Sequence, residues 1–285
     1  MRNDFAVFVL SHGRADSLKT IPTLLSRGYT GRWYIIVDNE DDQIEQYRAN
    51  FGDDHVVVFD KLAISKTFDI MDNFDGRQVP TYARNAVYQI ARDLELKYFF
   101  EADDDLTCFR CRILDDEGSL RTKYITDMDA VITAYLEYMD NTPIDVLAFG
   151  QTGDLIGGKG SKLFSNGYIR KAMQGFFVRV SNPITYVGRF NDDVNAYVDA
   201  GKVGHILITY KDVIMDTLET QKNKGGITEN YLKYGTYVKS FYSVILDPSC
   251  VYIGVMGDGN YRIHHTISWN NAVPKIISSD FKKGD

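Results

Sequence analysis

The first hundred residues alternate short apolar runs with stretches of helical periodicity. Apolar runs bounded by turn-forming or charged residues occur at residues 5–10, 33–37, 55–59 and 96–100. Between them, helices are predicted through residues 18–25 and from Pro80 onward, where apolar positions keep helical spacing. Short apolar strands separated by helices are typical of a parallel sheet covered on both faces. We therefore predict an α/β fold with a mostly parallel, Rossmann-like sheet flanked by helices.

The second half of the chain has a more mixed pattern. A helix is predicted at residues 127–140, and strands near 146–150 and 176–180 flank a loop rich in glycine and lysine at 153–167. No repeat, low-complexity tract or linker divides the 285 residues. We therefore predict a single domain with a mixed C-terminal part.

Composition excludes several classes of protein. The chain is 44% hydrophobic and 25% charged, which is ordinary for a globular protein. Its longest apolar run, residues 5–10, is far shorter than the ~20 residues of a membrane span. We expect a soluble, intracellular protein with no membrane partner. Cys108, Cys111 and Cys250 provide neither a disulfide framework nor a complete zinc site, so reduced structural thiols are expected.

Charge is distributed unevenly along the chain. The net charge is −7, but residues 1–154 carry −12, whereas residues 155–191 hold six cations and no acid. An acidic protein is not a general polyanion binder. The acid-free stretch nevertheless predicts one face that binds an anionic partner.

Aspartates follow two of the predicted strands. Asp38 ends the second strand, and Asp103 to Asp105 come directly after the fourth. The carboxyl ends of parallel strands form the ligand site of such sheets. Adjacent carboxylates repel one another unless a cation neutralises them, and carboxylates spaced i, i+2 suit Mg²⁺ or Mn²⁺. A solvated acidic loop is the alternative interpretation of this cluster.

Two further groups belong to the same edge of the predicted sheet. The turn from Ser11 to Arg14 supplies a hydroxyl, an unhindered glycine backbone and a guanidinium after the first strand. It is neither a P-loop nor a dinucleotide-binding fingerprint. Arg84 and Asn85 lie on the helix before the acidic strand, where Arg84 would reach either a diphosphate or the aspartates.

Taken in order, these motifs resemble those of the GT-A fold of nucleotide-sugar glycosyltransferases. The matching residues are Ser-x-Gly-Arg at 11–14, Asp38, Ala-Arg-Asn at 83–85 and Asp-x-Asp at 103–105. Residues 189–194 resemble the acidic motif that supplies the base of inverting members, with Asp192 where many carry Glu. His264 and His265 resemble the late histidine that completes metal coordination. A closer likeness, at residues 11–15 and 265–275, is to the TET-associated glycosyltransferases, found largely in phages and linked to sugars on hydroxymethylated pyrimidines in DNA.

The resemblance implies a hexosyltransferase that moves a sugar from a nucleotide-sugar donor of the UDP-glucose type to a hydroxyl, using Mn²⁺ or Mg²⁺. Within a domain spanning 1–285, residues 1–125 would bind the nucleotide sugar and residues 126–285 the acceptor. The favoured acceptor is 5-hydroxymethylpyrimidine in DNA. The expected location is the cytoplasm, that of the host cell if the protein is viral.

The resemblance also implies roles for individual residues. The nucleotide sugar would be bound by Ser11, Gly13, Arg14, Asp38, Arg84, Asn85, Asp103 and Asp104. The metal ligands would be Asp103, Asp105 and one of His265 and His264, because neighbours on a strand point to opposite faces. The base would be Asp193, with Asp192 as the alternative, although acids also favour helix N-termini without catalysis. Acceptor contacts would come from Lys159, Lys162, Lys222, Lys224 and Trp269.

Three other functions remain open at this point. The acceptor could be a polysaccharide, lipid or protein instead of DNA. A GT-A-like nucleotidyltransferase would also use paired carboxylates and Mg²⁺, but it would release pyrophosphate. A non-catalytic DNA-binding accessory protein would keep its binding after loss of Asp103 and Asp105.

Overall fold

A computed structural model describes residues 1–117, 119–151, 170–217, 227–257 and 261–274. In this part, one sheet contains the strands β1 (Phe5–Leu10), β2 (Arg32–Asp38), β3 (Val56–Phe59), β4 (Tyr98–Asp103), β5 (Leu106–Leu114), β6 (Leu120–Tyr124), β7 (Val146–Gln151), β8 (Phe176–Arg179) and β9 (Leu207–Thr217). A separate antiparallel ribbon pairs β10 (Val251–Met256) with β11 (Arg262–Ile267).

The helices of the described part are α1 (Thr20–Ser26), α2 (Ile44–Phe51), α3 (Lys61–Ile64), α4 (Thr81–Asp93), α5 (Met128–Asp140), α6 (Asp192–Val203), α7 (Ile227–Tyr234) and α8 (Lys239–Leu246). Single 3₁₀ turns lie at Asp53–His55 and Thr236–Val238. None of the described helices has the length and apolar character that crossing a bilayer requires.

The order of the main sheet is β3-β2-β1-β4-β8-β7-β9-β5-β6. Its first four strands are parallel, so their carboxyl ends meet at one edge. Leu10 pairs with Asp103, which brings the turn after β1 beside the acidic end of β4. The remaining strands are mixed, with β8 antiparallel to both β4 and β7, and β9 parallel to β7. The predicted α/β architecture, with a parallel first half and a mixed later part, is confirmed.

Hydrophobic layers cover both faces of the sheet. On one face, Phe100, Phe149 and Phe177 pack together against Tyr135 of α5. On the other face, Phe99 packs against α4. Burial of each phenylalanine stabilises the fold by about 1.5–3 kcal/mol. Alternate residues of β4 therefore hold the sheet between two helical layers. The cysteines are free thiols, as predicted, with Cys250 buried.

Two expectations from the sequence differ from the structure in detail, and one strand pair was not predicted. The fourth strand was predicted at residues 96–100, but β4 continues through Asp103, so Glu101 is a buried member of the strand. The third strand begins at Val56, because His55 lies in a 3₁₀ turn. The β5–β6 pair follows β4 at once and joins the sheet through β9. Long-range pairing, which a local pattern does not contain, determines these positions.

A buried ion pair fixes the segment that leads into α4. The Arg189 guanidinium donates to both oxygens of Asp72, from Nε at 2.8 Å and from Nη2 at 2.9 Å. It also donates to the carbonyls of Phe74 and Gly76. The side chains of Arg189 and Asp72 are 1% and 8% exposed, so this ion pair has little access to water.

We therefore expect Arg189→Met to lower the free energy of unfolding by about 3 kcal/mol, because removing one partner leaves a buried charge uncompensated. Equilibrium denaturation with urea measures this difference. The matched control is Arg92→Met at the exposed end of α4, which should change stability by less than about 0.5 kcal/mol. Equal effects of the two variants would contradict the structural role of Arg189.

Candidate active site

The turn after β1 is locked onto the end of β4 by Asp104. Ser11 Oγ donates to Asp104 Oδ2 at 2.6 Å, and Arg14 Nη1 donates to Asp104 Oδ1 at 2.7 Å. The Tyr47 hydroxyl lies 2.7 Å from Ser11 Oγ and accepts the backbone N–H of Arg14. Gly13 adopts a φ of +66°, which glycine tolerates without strain. Asp104 is therefore directed into the protein, where it shapes this turn.

Asp38 lies in a second group of charges at the same edge. Its Oδ2 is 2.8 Å from His12 Nδ1, and its Oδ1 is 3.1 Å from Lys61 Nζ. Burial raises the pKa of Asp38, but the hydrogen bond with His12 and the charge of Lys61 outweigh burial and hold it below its ordinary value. The same hydrogen bond raises the pKa of His12. Asp41 adds a carboxylate that accepts the Gly13 N–H at 2.8 Å.

Arg84 is the centre of a third, buried group. Its Nη1 lies 3.2 Å from Asp192 Oδ2, its Nε lies 3.2 Å from Glu101 Oε1, and its Nη2 lies 3.7 Å from Asp103 Oδ1. The guanidinium carbon is 5.3 Å from the ring centre of Phe176, and the Arg84 side chain is itself buried. Of the two partners predicted for Arg84, the structure places the aspartates against it.

The carboxylates around Arg84 outnumber its single positive charge. Burial raises the pKa of Glu101 to about 8, and Asp103 and Asp192 add to this effect while Arg84 opposes it. Burial likewise raises the pKa of Asp192 and of Asp193. Asp192 is enclosed beside Arg84, whereas Asp193 is partly exposed and accepts the Val194 N–H at 2.8 Å. The two aspartates therefore differ in their access to a ligand.

Asp103 and Asp105 are partly exposed at the end of β4. Burial, followed by the charges of Asp103 and Asp104, raises the pKa of Asp105 to about 7. Carboxylates that lie close together raise one another's pKa values, and a bound cation relieves this repulsion. Mg²⁺ often uses only one or two carboxylates beside phosphate oxygens. The hydroxyl and backbone of Thr20 at the start of α1 hold the carbonyls of Asp103 and Asp104. The side chains of Asp103 and Asp105 fit a divalent ion.

The histidines expected to complete that metal site lie beside the residue that precedes α6. His265 Nδ1 is 3.2 Å from Asn191 Nδ2, just before α6, and the ring centres of His264 and His265 are 4.2 Å apart. Burial and the neighbouring His264 lower the pKa of His265 to about 4. Within the described ranges, no three histidine, cysteine, aspartate or glutamate side chains gather closely enough to hold a metal. The structure therefore does not assemble the predicted Asp103–Asp105–His set.

The other predicted site residues have varied positions. Both ends of the Asn85 amide bond the backbone of Tyr186, so Asn85 anchors that loop. Trp269 stacks on Tyr197 of α6 at 5.8 Å between ring centres, and the Arg170 guanidinium carbon lies 5.2 Å from the Trp269 ring centre. The predicted acceptor lysines and the glycine- and lysine-rich loop at 153–167 lie outside the described residues; these lysines are Lys159, Lys162, Lys222 and Lys224.

Comparison with known proteins places this edge of the sheet in a known enzyme class. The sequence profile of the TET-associated glycosyltransferases matches residues 5–226. The chain belongs to this family, which confirms the predicted glycosyltransferase activity. No curated protein matches the chain in sequence.

Several solved structures are similar in overall trace. Glucosyl-3-phosphoglycerate synthase from Mycobacterium tuberculosis, in complex with Mn²⁺, UDP and phosphoglyceric acid, has a TM-score of 0.48 and 9% identity, over 93% of this chain and 87% of that one. Mannosyltransferase PcManGT from Pyrobaculum calidifontis, with GDP-Man and Mn²⁺, has a TM-score of 0.48 and 12% identity, over 86% and 65%. S. aureus TarS 1–349 with UDP-GlcNAc has a TM-score of 0.47 and 14% identity, over 86% and 66%. At these scores, no residue role is transferred from them.

Sequence reasoning missed several residues that the structure brings to this edge: His12, Asp41, Lys61, Glu101 and Gln174. A signal existed for Glu101, because it is a charged residue adjoining the apolar run of β4 and two positions before Asp103. In a strand, such residues share a face. The others depend on contacts between distant segments.

The His12–Asp38 pair predicts a specific pH dependence. Because Asp38 raises the pKa of His12, the pair stabilises the fold below the ordinary pKa of histidine, and this contribution disappears as pH rises through the raised value. In Asp38→Asn, burial and Lys61 still lower the pKa of His12 and Asp41, at 3.7 Å, still raises it, so the pKa of His12 should fall from its value in the wild type. An NMR titration of the His12 ring measures this change, with His264 as internal control. An unchanged His12 titration in the variant would exclude the pairing.

Proposed function

We propose that this glycosyltransferase moves a sugar from a UDP-type nucleotide sugar to 5-hydroxymethylpyrimidine in DNA, with Mn²⁺ or Mg²⁺ as cofactor. The observation that carries the reaction is the position of Arg84 between Asp103 at the end of β4 and Asp192 at the start of α6. A donor bound at Asp103 and an acceptor bound at the start of α6 would then lie on either side of the Arg84 guanidinium.

The donor would lie along the carboxyl edge of β1, β2 and β4. Asp38, which is ionised beside His12 and Lys61, is suited to accept hydrogen bonds from a ribose or base. Ser11, Gly13 and Arg14 form the adjoining turn, whose shape Asp104 maintains. Asp103 and Asp105 would hold the divalent ion, which stabilises charge on the leaving diphosphate when bound.

The base would be Asp193 and not Asp192. Asp192 is buried and its carboxylate faces Arg84 at 3.2 Å, so it is committed to that ion pair. Asp193 is partly exposed, and burial raises its pKa. A general base works best with a pKa nearer the working pH than that of an ordinary aspartate. Lys239 of α8 lies near enough to interact with its charge.

We expect Asp193→Asn to lower kcat by about 10²–10⁴-fold, since it removes the proton acceptor with little change in shape. Asp192→Asn should lower kcat less, and UDP binding measured by calorimetry should persist in both variants. If only Asp192→Asn shows the large decrease, the roles are exchanged. If neither does and the product keeps the donor's anomeric configuration, an inverting mechanism with this base is wrong.

A second surface supports the DNA acceptor. Among the described residues 227–257 and 261–274 the only acids are Glu229 and Asp247, and Asp247 is buried and paired with Lys202. The elements α7, α8, β10 and β11 of this region pack on one another through the Thr236–Val238 turn. We call their exposed cations and tyrosines the ribbon surface; its members are Lys233, Tyr237, Tyr252, Tyr261 and Arg262.

The elements that carry the ribbon surface contact the residue that precedes α6, next to the proposed base. Asn191, which precedes α6, donates to the Lys239 carbonyl of α8 at 2.9 Å and contacts His265 of β11. Cations in a region with few acids attract phosphates, and exposed tyrosines are stacking platforms for unpaired bases. A protein with a net charge of −7 requires such a local surface to bind DNA.

We therefore expect the double variant Lys233→Glu/Arg262→Glu to weaken DNA modification. The log–log salt slope of DNA binding should also become shallower by about 1 for each phosphate that the variant no longer neutralises. Nucleoside mass spectrometry of hydroxymethylated DNA and a salt titration of DNA binding are the measurements. Arg92→Glu, at the far end of α4, is the matched control and should change neither.

Hydrolysis of the free donor should be unchanged in the double variant, because the proposed donor site is built by the first half of the chain. If the charge reversals leave DNA transfer intact, or if a neutral small acceptor is glycosylated equally well, the acceptor is a polysaccharide, lipid or protein and not DNA.

A further inference from the structure

Gln174 has an unusual backbone for a long side chain. Its φ is +47°, and Gly175 follows with a φ of +65°. Among the described residues, positive φ at a non-glycine position occurs only at Met71, Glu95, Gln174 and Asn191. Side chains with a Cβ are strained in this left-handed region, and strain persists where the surrounding structure enforces it.

The packing around Gly175 explains what enforces this conformation. A Cβ on Gly175 would lie 2.6 Å from Met215 Sδ of β9, and the φ of +65° is itself one that favours glycine. The Gly175 carbonyl accepts the Phe149 N–H of β7 at 3.2 Å. Directly afterwards, Phe176 pairs with Glu101 of β4. The two left-handed residues, Gln174 and Gly175, therefore direct the chain into β8 at a fixed position.

The side chain of Gln174 reaches the acidic end of β4 from this turn. Its Nε2 donates to Asp103 Oδ2 at 2.7 Å, while its Oε1 accepts from Gln151 Nε2 at 3.1 Å. The other oxygen of Asp103 is the one facing Arg84 at 3.7 Å. Two neighbours on different elements thus define the plane of the Asp103 carboxylate, and each carboxylate oxygen has a second lone pair for a ligand.

We propose that Gln174 is a positioning residue whose strained backbone holds its carboxamide on Asp103 and so orients that carboxylate toward the donor diphosphate. The inference rests on the proposed donor site. A neutral amide donor suits this position. It orients the carboxylate of Asp103 and leaves its negative charge available to a cation.

Gln174→Gly separates positioning from folding. Glycine relieves the left-handed strain and removes the amide, so the thermal midpoint without ligand should stay equal or rise. The Kd for UDP with Mn²⁺, measured by calorimetry, should rise by about tenfold, as for other residues that orient a ligating side chain. The KM for the acceptor should not change. Gln174→Asn tolerates the backbone but is one methylene too short, so it should show the same weakened UDP binding.

Glu95→Gly is the matched control. Glu95 also has a positive φ, of +56°, but it is exposed in the turn after α4. Its substitution should raise the thermal midpoint and leave UDP binding unchanged. Wild-type UDP affinity in Gln174→Gly, or a lowered thermal midpoint in that variant, would overturn the positioning role. A wild-type protein that binds no UDP would overturn the proposed donor instead.

Discussion

One buried guanidinium, that of Arg84, stands between the two halves of the active site. It belongs to α4, and it contacts Glu101 and Asp103 on β4 and Asp192 on α6. Burying charge is expensive unless the charges are paired, and one cation cannot pair fully with three carboxylates. Aromatic rings pack against the guanidinium. The pKa of Glu101 is raised, which reduces the negative charge around Arg84 at neutral pH.

This shared cation gives the site its geometry. Asp103 belongs to the proposed donor side and Asp192 precedes the proposed base, so both sides are positioned against the same guanidinium. The turn after β1 is held separately by Asp104, and the proposed donor pocket at Asp38 by His12 and Lys61. Asp38, Asp103, Asp104 and Asp192 at this edge therefore each have a cationic side chain within 4 Å.

Local patterns predicted the parts of the fold that depend on local sequence. The buried strand β1 and the helices α4 and α5 follow from apolar spacing, and the aspartates at strand ends followed from the parallel sheet. The β9 pairing and the β10–β11 ribbon depend on pairing between distant segments, which periodicity does not contain. For Arg84, the sequence predicted a position at the site but left two partners open, a diphosphate or the aspartates. Its contact with an aspartate of α6 depends on where α6 lies, which the local pattern does not contain.

The most direct test of this account is the free energy of unfolding of Arg84→Met at two pH values. Without the guanidinium, the buried carboxylates have folded-state pKa values above their unfolded ones, so they destabilise the fold more as pH rises. The account predicts a decrease of about 3–5 kcal/mol at pH 8 and a smaller decrease at pH 5. A variant as stable as the wild type at pH 8, or a decrease that is greater at pH 5, would contradict it.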